Sequence, residues 1–437
     1  RRLAGWRLNV ASHRFHRKNE RCGKVSGKTA GALSGIRVVD LTSVVFGPYA
    51  TQTLGDMGAD VFKVEAPEGD VLRGVTPTRT DGMGVVFMNI NRNKRSVVLD
   101  LKHPAHRAAL DRIVTTADVF IHSIRPKAAE RLGITYDRLK TVNERLIHCT
   151  AVGFASDGPY ADAPAYDDII QGLSGTADLN RRQRAAVDEV RPGEGGAIAP
   201  TFVPGAVADK TAGLIVAQGL LAALFHRERT GEGQAIEIPM FEAMTSFTLL
   251  EHLYGAVHQP DGAPFGYNRS LAPDRRPFPT RDGYIVMMPF TTRHWRSFFA
   301  AIGRDDLVEA PLVNDPNVRS PRIAELYALI AEATPSQTTA EWLEAMRAAD
   351  VPAMPVNRLE DLTSDPHLAA TGFFVDRDHP TEGRVRTTAP PIRFSATPAS
   401  ATRRPVPKLG ADTREVLGEA GLSEAEIDVI EGSLPTR

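Results

Sequence analysis

The chain has 437 residues, 42% hydrophobic and 24% charged, with a formal net charge of −1. That is the profile of a globular chain long enough for more than one domain, and a charge so close to zero argues against nucleic acid or an anionic membrane surface as a partner held by bulk electrostatics. Its two cysteines, Cys22 and Cys149, show neither metal-ligand spacing nor a disulfide framework, so a reducing compartment is expected and no metal.

Residues 1–32 stand apart. "RRLAGWRLNVASHRFHRK" carries several Arg and Lys and no acid before Glu20, which is the composition of a mitochondrial transit peptide. The sequence also begins without Met, and this stretch is treated as an N-terminal appendage, targeting or disordered. A cytoplasmic location is expected, with the mitochondrial matrix as the alternative if the appendage is a transit peptide.

Regular pattern begins at "LSGIRVVDLT". Ile36, Val38, Val39 and Leu41 form a short apolar run that reads as a buried strand. Pro48 suits the first turn of a helix over "YATQTLGDMGA" that closes at Gly58, and "DVFKVEAP" is a second strand. Strand, helix and strand in about thirty residues make a βαβ unit and hence a parallel sheet. The alternation continues through strands at "RSVVLDL", "DVFIHS" and "LIHCTAVGF", with helices at "PAHRAALDRIVTTA", "AAERLGI" and "YDRLKTVN". A helix follows at "DDIIQGLSG". The polar, Arg-rich stretch Asn180–Arg191 reads as a surface loop. No apolar run reaches the ~18 residues of a membrane span, so the run after Lys210 is expected to be a helix buried in protein. From Ala235 the texture shifts to shorter strand-like and helical pieces, read as a second, smaller α+β region over 235–345. The proline-rich C-terminal part reads as extended and wrapping, ending in a charged helix after "SEAEIDVI".

Several chemistries are absent from the pattern. The first turn, "FGPYATQTLG", lacks the glycine triplet of a dinucleotide site, and there is no Walker A loop, no Gly-x-Ser-x-Gly elbow and no His-Glu-x-x-His. A lone histidine such as His148 reads as structural. "NRNKRS" (Asn91–Ser96) reads as solvated surface or as a phosphate holder. What remains are carboxylates beside helix starts: Asp167 and Asp168 before "IIQGLSG", and Asp209 before "KTAGLIVAQGLL". An Asp at a helix N-terminus accepts backbone N–H bonds and feels the positive end of the dipole, so its pKa should fall. Those are the properties a carboxylate nucleophile needs, but they are also those of a plain cap, which the residues alone favour.

The segments "LSGIRVVDLTSVVFGPYATQTLGDMGADVFKVEAPEGDVLR", "NINRNKRSVVLDLKHP", "GPYADAPAYDDIIQGLSG", "ADKTAGLIVAQGLLAALFHRERTGEGQ" and "RDGYIV" resemble, in order and with similar gaps, the family III CoA-transferases. That is the formyl-CoA and carnitine CoA-transferase family, which includes α-methylacyl-CoA racemases. The resemblance covers about residues 33–425. It implies an interlocked, ring-like homodimer with the active site between subunits. Each subunit would have a doubly wound, Rossmann-like α/β large domain, built from 33–234 and a returning C-terminal segment 346–437, and the smaller α+β domain.

The resemblance puts the family's nucleophile on Asp209 and the carboxylate lining the same site on Asp167. It puts coenzyme A contacts on Val45, Phe46, Leu99, Lys102, Ser123, Ile124 and Arg131, with Arg95 as a further candidate for the phosphates. The reaction implied moves CoA from an acyl-CoA to a small carboxylic acid through an aspartyl anhydride and an aspartyl-CoA thioester. Formyl-CoA transferases carry Gln where this chain has Val45, and Ala66 replaces an Arg near the adenine, which points away from formyl-CoA and oxalate. Arg275 and Arg276, with Arg73, would suit a second carboxylate and favour a dicarboxylic acid. The alternative is a 2-methylacyl-CoA racemase, although Ala165-Tyr166-Asp167 stands where racemases typically have Gly-His-Asp.

Overall fold

The computed structural model describes residues 31–435; the expected appendage therefore lies almost wholly outside the described residues. The chain opens with β1 (Arg37–Leu41), α1 (Phe46–Asp56), β2 (Asp60–Glu65), α2 (Val85–Ile90), β3 (Lys94–Val98), α3 (Pro104–Val114) and β4 (Val119–His122). Then come α4 (Pro126–Leu132), α5 (Tyr136–Lys140), β5 (Ile147–Val152), α6 (Asp167–Leu173), α7 (Thr176–Val190), α8 (Val207–Thr230), β6 (Ala235–Pro239) and α9 (Met240–His252). The strands form one sheet in the order β3-β2-β1-β4-β5-β6, with every neighbouring pair parallel.

β1, β2 and β4 alternate between two apolar layers. Val38, Val61 and Val119 pack with α1 and α8 on one face, while Val39, Phe62 and Phe120 pack with α3 and the C-terminal helices on the other. A sheet buried on both faces needs near-continuous apolar strands, which is why the short runs were legible. This is the doubly wound order whose crevice, between β1 and β4, opens at the carboxyl ends of the strands.

α8 is the central helix of the first layer. Its length and hydropathy would suffice to cross a membrane, longer than the run expected from sequence. Half of that window is buried, with Ala208, Ala212, Val216 and Leu220 in the apolar layer. α1 lies close against it because Gly213 has no side chain: a Cβ there would meet the Phe46 carbonyl oxygen at 2.8 Å and Tyr49 Cδ1 at 3.1 Å. Gly213→Val is expected to force the two helices apart and cost about 1–3 kcal/mol, measured by urea unfolding; an unchanged midpoint would contradict that packing.

Two expectations are corrected here. Asn180–Arg191 is not a loop but most of α7. Asp178 holds Arg181 and Arg182, three and four residues on, at 2.6 Å each. Such pairs stabilise a helix that has little apolar stripe to announce it. Nor does the second region begin at Ala235: Ala235–Pro239 is the sixth strand of the parallel sheet, hydrogen-bonded to β5. The separate sheet is antiparallel, β7 (Phe278–Pro279), β8 (Tyr284–Met287) and β9 (Ala353–Pro355), so it reaches past residue 345. Its core is aromatic, with Trp295, Phe298, Phe299, Tyr327 and Trp342 buried together.

A hairpin, β10 (Phe374–His379) and β11 (Gly383–Thr388), precedes the proline-rich strap. That strap returns to the first sheet. The Arg404 N–H donates to Asn93 at 2.9 Å, the Ser96 N–H to the Asp412 carboxylate at 2.8 Å, and the Val98 N–H to Thr413 Oγ1 at 3.0 Å.

Candidate active site

Two cavities open along the carboxyl ends of the strands. One, of about 260 Å³, lies over β1, β2 and β3 and is lined by Ala66, Leu99, Lys102 and Ile124 among others. The second, of about 250 Å³, lies beyond β4 and β5 and is lined by Phe46, Ser123, Arg125, Tyr166 and Asp209. Ser43, in the turn after β1, lines both. Together they make one bent cleft at the switch point of the sheet.

Asp209 sits in the first turn of α8, three residues past the N-cap Ala206, which has no side-chain cap bond. It is therefore not a cap. No group among the described residues donates a hydrogen bond to its carboxylate, and its own N–H donates instead to Asp167 Oδ1 at 3.0 Å. Asp167 begins α6. Its other oxygen accepts from Gln171 Nε2 at 2.6 Å, and Gln171 Oε1 accepts from the Val203 N–H at 2.8 Å. One side-chain amide thus ties α6 to the segment entering α8 and holds the Asp167 carboxylate against the Asp209 backbone.

The expected fall in the Asp209 pKa is corrected. Burial, with only 7% of the residue exposed, and then the charge of Asp167 push it up to about 7. A helix N-terminus contributes about 0.3–1 kcal/mol in the other direction, less than one pKa step at ~1.4 kcal/mol. Desolvation wins because no N–H reaches the carboxylate.

The other sequence-predicted residues divide by position. Phe46 and Ser123 lie with Asp209; Leu99, Lys102 and Ile124 line the neighbouring cavity. Val45, half-buried, is the N-cap residue of α1 between them. Arg131 is exposed on the last turn of α4, beside Leu132, which lines the first cavity; Arg131 itself does not.

The arginine assignments fare differently: Arg73 and Arg95 are buried in ion pairs, while Arg276 keeps half of its side chain exposed. Arg73 is buried and held by Glu65 through two 2.7 Å bonds. Arg95 is buried against Glu419 and Asp60. Arg276 leans on Asp274, which is already bound by Arg191. The whole of Asn91–Ser96 is buried, neither solvated surface nor a phosphate holder. His148, by contrast, is structural as expected, its Nε2 bonded to the Ile134 carbonyl at 2.9 Å.

The sequence showed a turn after β1 but gave no sign of the conformation it takes at Val44. Val44 has φ of +65°, a left-handed conformation that a β-branched residue adopts at a cost of about 1–3 kcal/mol. Arg125, which was not singled out, is the only basic residue among the described residues that lines the Asp209 cavity. The signal for the turn's support was a lone Lys in an apolar strand, Lys63 of "DVFKVEAP".

A doubly wound parallel sheet with a ligand cleft over its strand ends, closed by a desolvated carboxylate, defines an α/β enzyme of the nucleotide-binding architectural class. The chain belongs to CoA-transferase family III, whose family model matches residues 33–413, and it is an enzyme of that kind, with acyl-CoA as the family's substrate. It is 31% identical to the formyl-CoA:oxalate CoA-transferase of Streptomyces coelicolor over 93% of this chain and 99% of that one. It is 32% identical to the succinate–glutarate CoA-transferase of Agrobacterium fabrum over 89% and 95%. Among solved structures, a CAIB/BAIF family protein from Brucella suis superposes with a TM-score of 0.73 at 29% identity, covering 90% of this chain and 100% of that one.

Proposed function

We propose that the protein transfers CoA from an acyl-CoA donor to a small carboxylic acid, with Asp209 as the covalent carrier. The observation that carries this reading is a cavity-facing carboxylate, nine-tenths buried, that no hydrogen bond satisfies. An ionised oxygen of Asp209 attacks the thioester carbonyl carbon, the C–S bond breaks, and an acyl-aspartyl anhydride and CoA thiolate form. The thiolate attacks Cγ of Asp209, giving aspartyl-CoA thioester and releasing the donor acid. The acceptor carboxylate attacks the same Cγ and expels the thiolate, which then takes the acceptor's acyl carbon and returns Asp209 as carboxylate. Anhydride and thioester are both activated acyl groups, so two easy steps replace one hard one. A desolvated carboxylate is the better nucleophile, and its titration near neutrality leaves much of it ionised.

In this reading the thioester end of CoA lies by Asp209, Phe46 and Ser123, and the remainder crosses Ser43 toward Leu99 and Ile124. Lys102 and Arg131 are the cations for its phosphates. The relatives' names include oxalate and glutarate, so dicarboxylic acids are the acceptors to try first, although the buried Arg73 no longer supports one. The racemase alternative loses support because no histidine among the described residues lines the Asp209 cavity.

The test is to incubate the protein with acyl-CoA, trap with hydroxylamine or borohydride, and locate the label by mass spectrometry. Label on Asp209 is expected. An unlabelled Asp209, with transfer surviving in Asp209→Ala, overturns the proposal.

We also propose a homodimer. The chain exposes 25238 Å², whereas a compact 437-residue chain would expose ~16,000 Å². The excess exceeds what thirty fully extended residues could add, at ~160 Å² each. Leu250, Leu359 and Phe225 are 85%, 82% and 63% exposed, apolar surface that association would cover. A monomer mass in sedimentation at micromolar concentration would count against it.

A further inference from the structure

The turn at which the two cavities meet is gripped by four buried charged side chains, two of which, Lys63 and Asp70, also lie in the wall of the first cavity. Asp40 Oδ1 accepts the Thr42 N–H at 2.9 Å, and Lys63 Nζ donates to the Thr42 carbonyl at 2.9 Å. The two oxygens of Asp70 accept the Val44 N–H at 3.3 and 3.4 Å, and Lys94 Nζ donates to the Pro48 carbonyl at 3.0 Å. The four also pair with one another, Lys63 with Asp70 and Lys94 with Asp40, each at 3.0 Å. Carboxylates take the N–H groups and ammoniums take the carbonyls, so the quartet is neutral while every member holds a backbone group of the segment 42–48.

A buried ion pair is a poor stabiliser, because an apolar pair of similar volume is often as good or better. An apolar pair could not reach backbone N–H and C=O groups. Meanwhile Val44, inside the gripped segment, holds a backbone conformation that L side chains rarely adopt.

We propose that Lys63 and Asp70, seconded by Asp40 and Lys94, are positioning residues: they clamp the Ser43–Val45 turn in its left-handed form, so that the acyl-CoA cleft is already shaped before the ligand arrives. The proposal rests on acyl-CoA binding at this turn. None of the four needs to touch the reacting atoms.

The test is the double variant Lys63→Met/Asp70→Asn, which removes both charges together and leaves neither buried alone. The released turn should relax toward negative φ. KM for acyl-CoA, and the Kd for CoA by calorimetry, should rise roughly 10- to 100-fold, the scale of an ångström-sized misplacement. Adding Val44→Gly, which adopts positive φ without strain, should bring KM back most of the way. A merely structural role would not be reversed at that residue. A KM unchanged in the folded double variant, or a rise that Val44→Gly leaves in place, overturns the clamp. Should the double variant not fold, Asp70→Asn alone keeps an acceptor for Lys63 and Val44, and a smaller rise, again reversed by Val44→Gly, is expected; no rise overturns the proposal. Failure of the wild-type protein to bind CoA at all would instead strike the functional reading.

Discussion

Asp209→Asn is expected to lose transfer activity and to gain stability. The loss should be ~10³-fold or more, because on the proposed mechanism the covalent carrier is gone rather than misplaced. The gain follows from proton linkage. The Asp209 carboxyl has its ordinary value of 3.8 when unfolded and about 7 when folded. Between those values the folded chain holds a proton that the unfolded chain has released. Its stability contribution is therefore present below pH 3.8 and lost as pH rises through 7. The window amounts to on the order of 4 kcal/mol, so the neutral amide should raise stability most at pH 8 and little at pH 4. Urea unfolding of both proteins at the two pH values reads this directly; equal gains at the two would refute it. On the proposed mechanism this strain belongs to function: the same desolvation that destabilises the ionised fold would make the carboxylate reactive.

The second large effect concerns Asp167. Its charge is the lesser of the two causes of the raised Asp209 pKa, burial being the greater. Asp167→Asn removes the charge and leaves the burial. The acidic limb of kcat/KM, expected near pH 7 because the nucleophile must be ionised, should move to lower pH without reaching 3.8. Activity of the variant at pH 5.5, relative to its own maximum, should then exceed that of the wild type. A limb that stays in place would mean that the charge of Asp167 does not raise the Asp209 pKa. Arg125 lines the same cavity and is present in both proteins, so the comparison isolates Asp167.

How far the fold was readable depended on burial. β1 to β5 were legible because a sheet covered on both faces demands runs such as Val38-Val39 and Phe62-Lys63-Val64, and α8 because its apolar residues follow one another from Ala208 to Leu224. α7 was not, since a helix held by Asp178, Arg181 and Arg182 presents only charge to a reader of hydropathy. β6 was misplaced because its exposed and half-buried edge-strand pattern does not look like the strand it pairs with.

The site was readable only as far as a resemblance could carry it. Asp209 and Asp167 were placed on matching positions, and the geometry brings them together. The roles given to Arg73 and Arg95 were not sustained, because nothing in a one-dimensional string says that Glu65 and Glu419 will reach them first.

By itself, then, the sequence determined the parallel α/β architecture, the family, and the aspartates to test, since periodicity and matched motifs are local properties of the string. Tertiary structure alone decided that Asp209 is not the helix cap, and in which direction its pKa moves. Those outcomes turn on which donors lie within hydrogen-bond reach and how much water is excluded. Both are set by residues forty positions away, on α6, and by the turn that Lys63 and Asp70 hold.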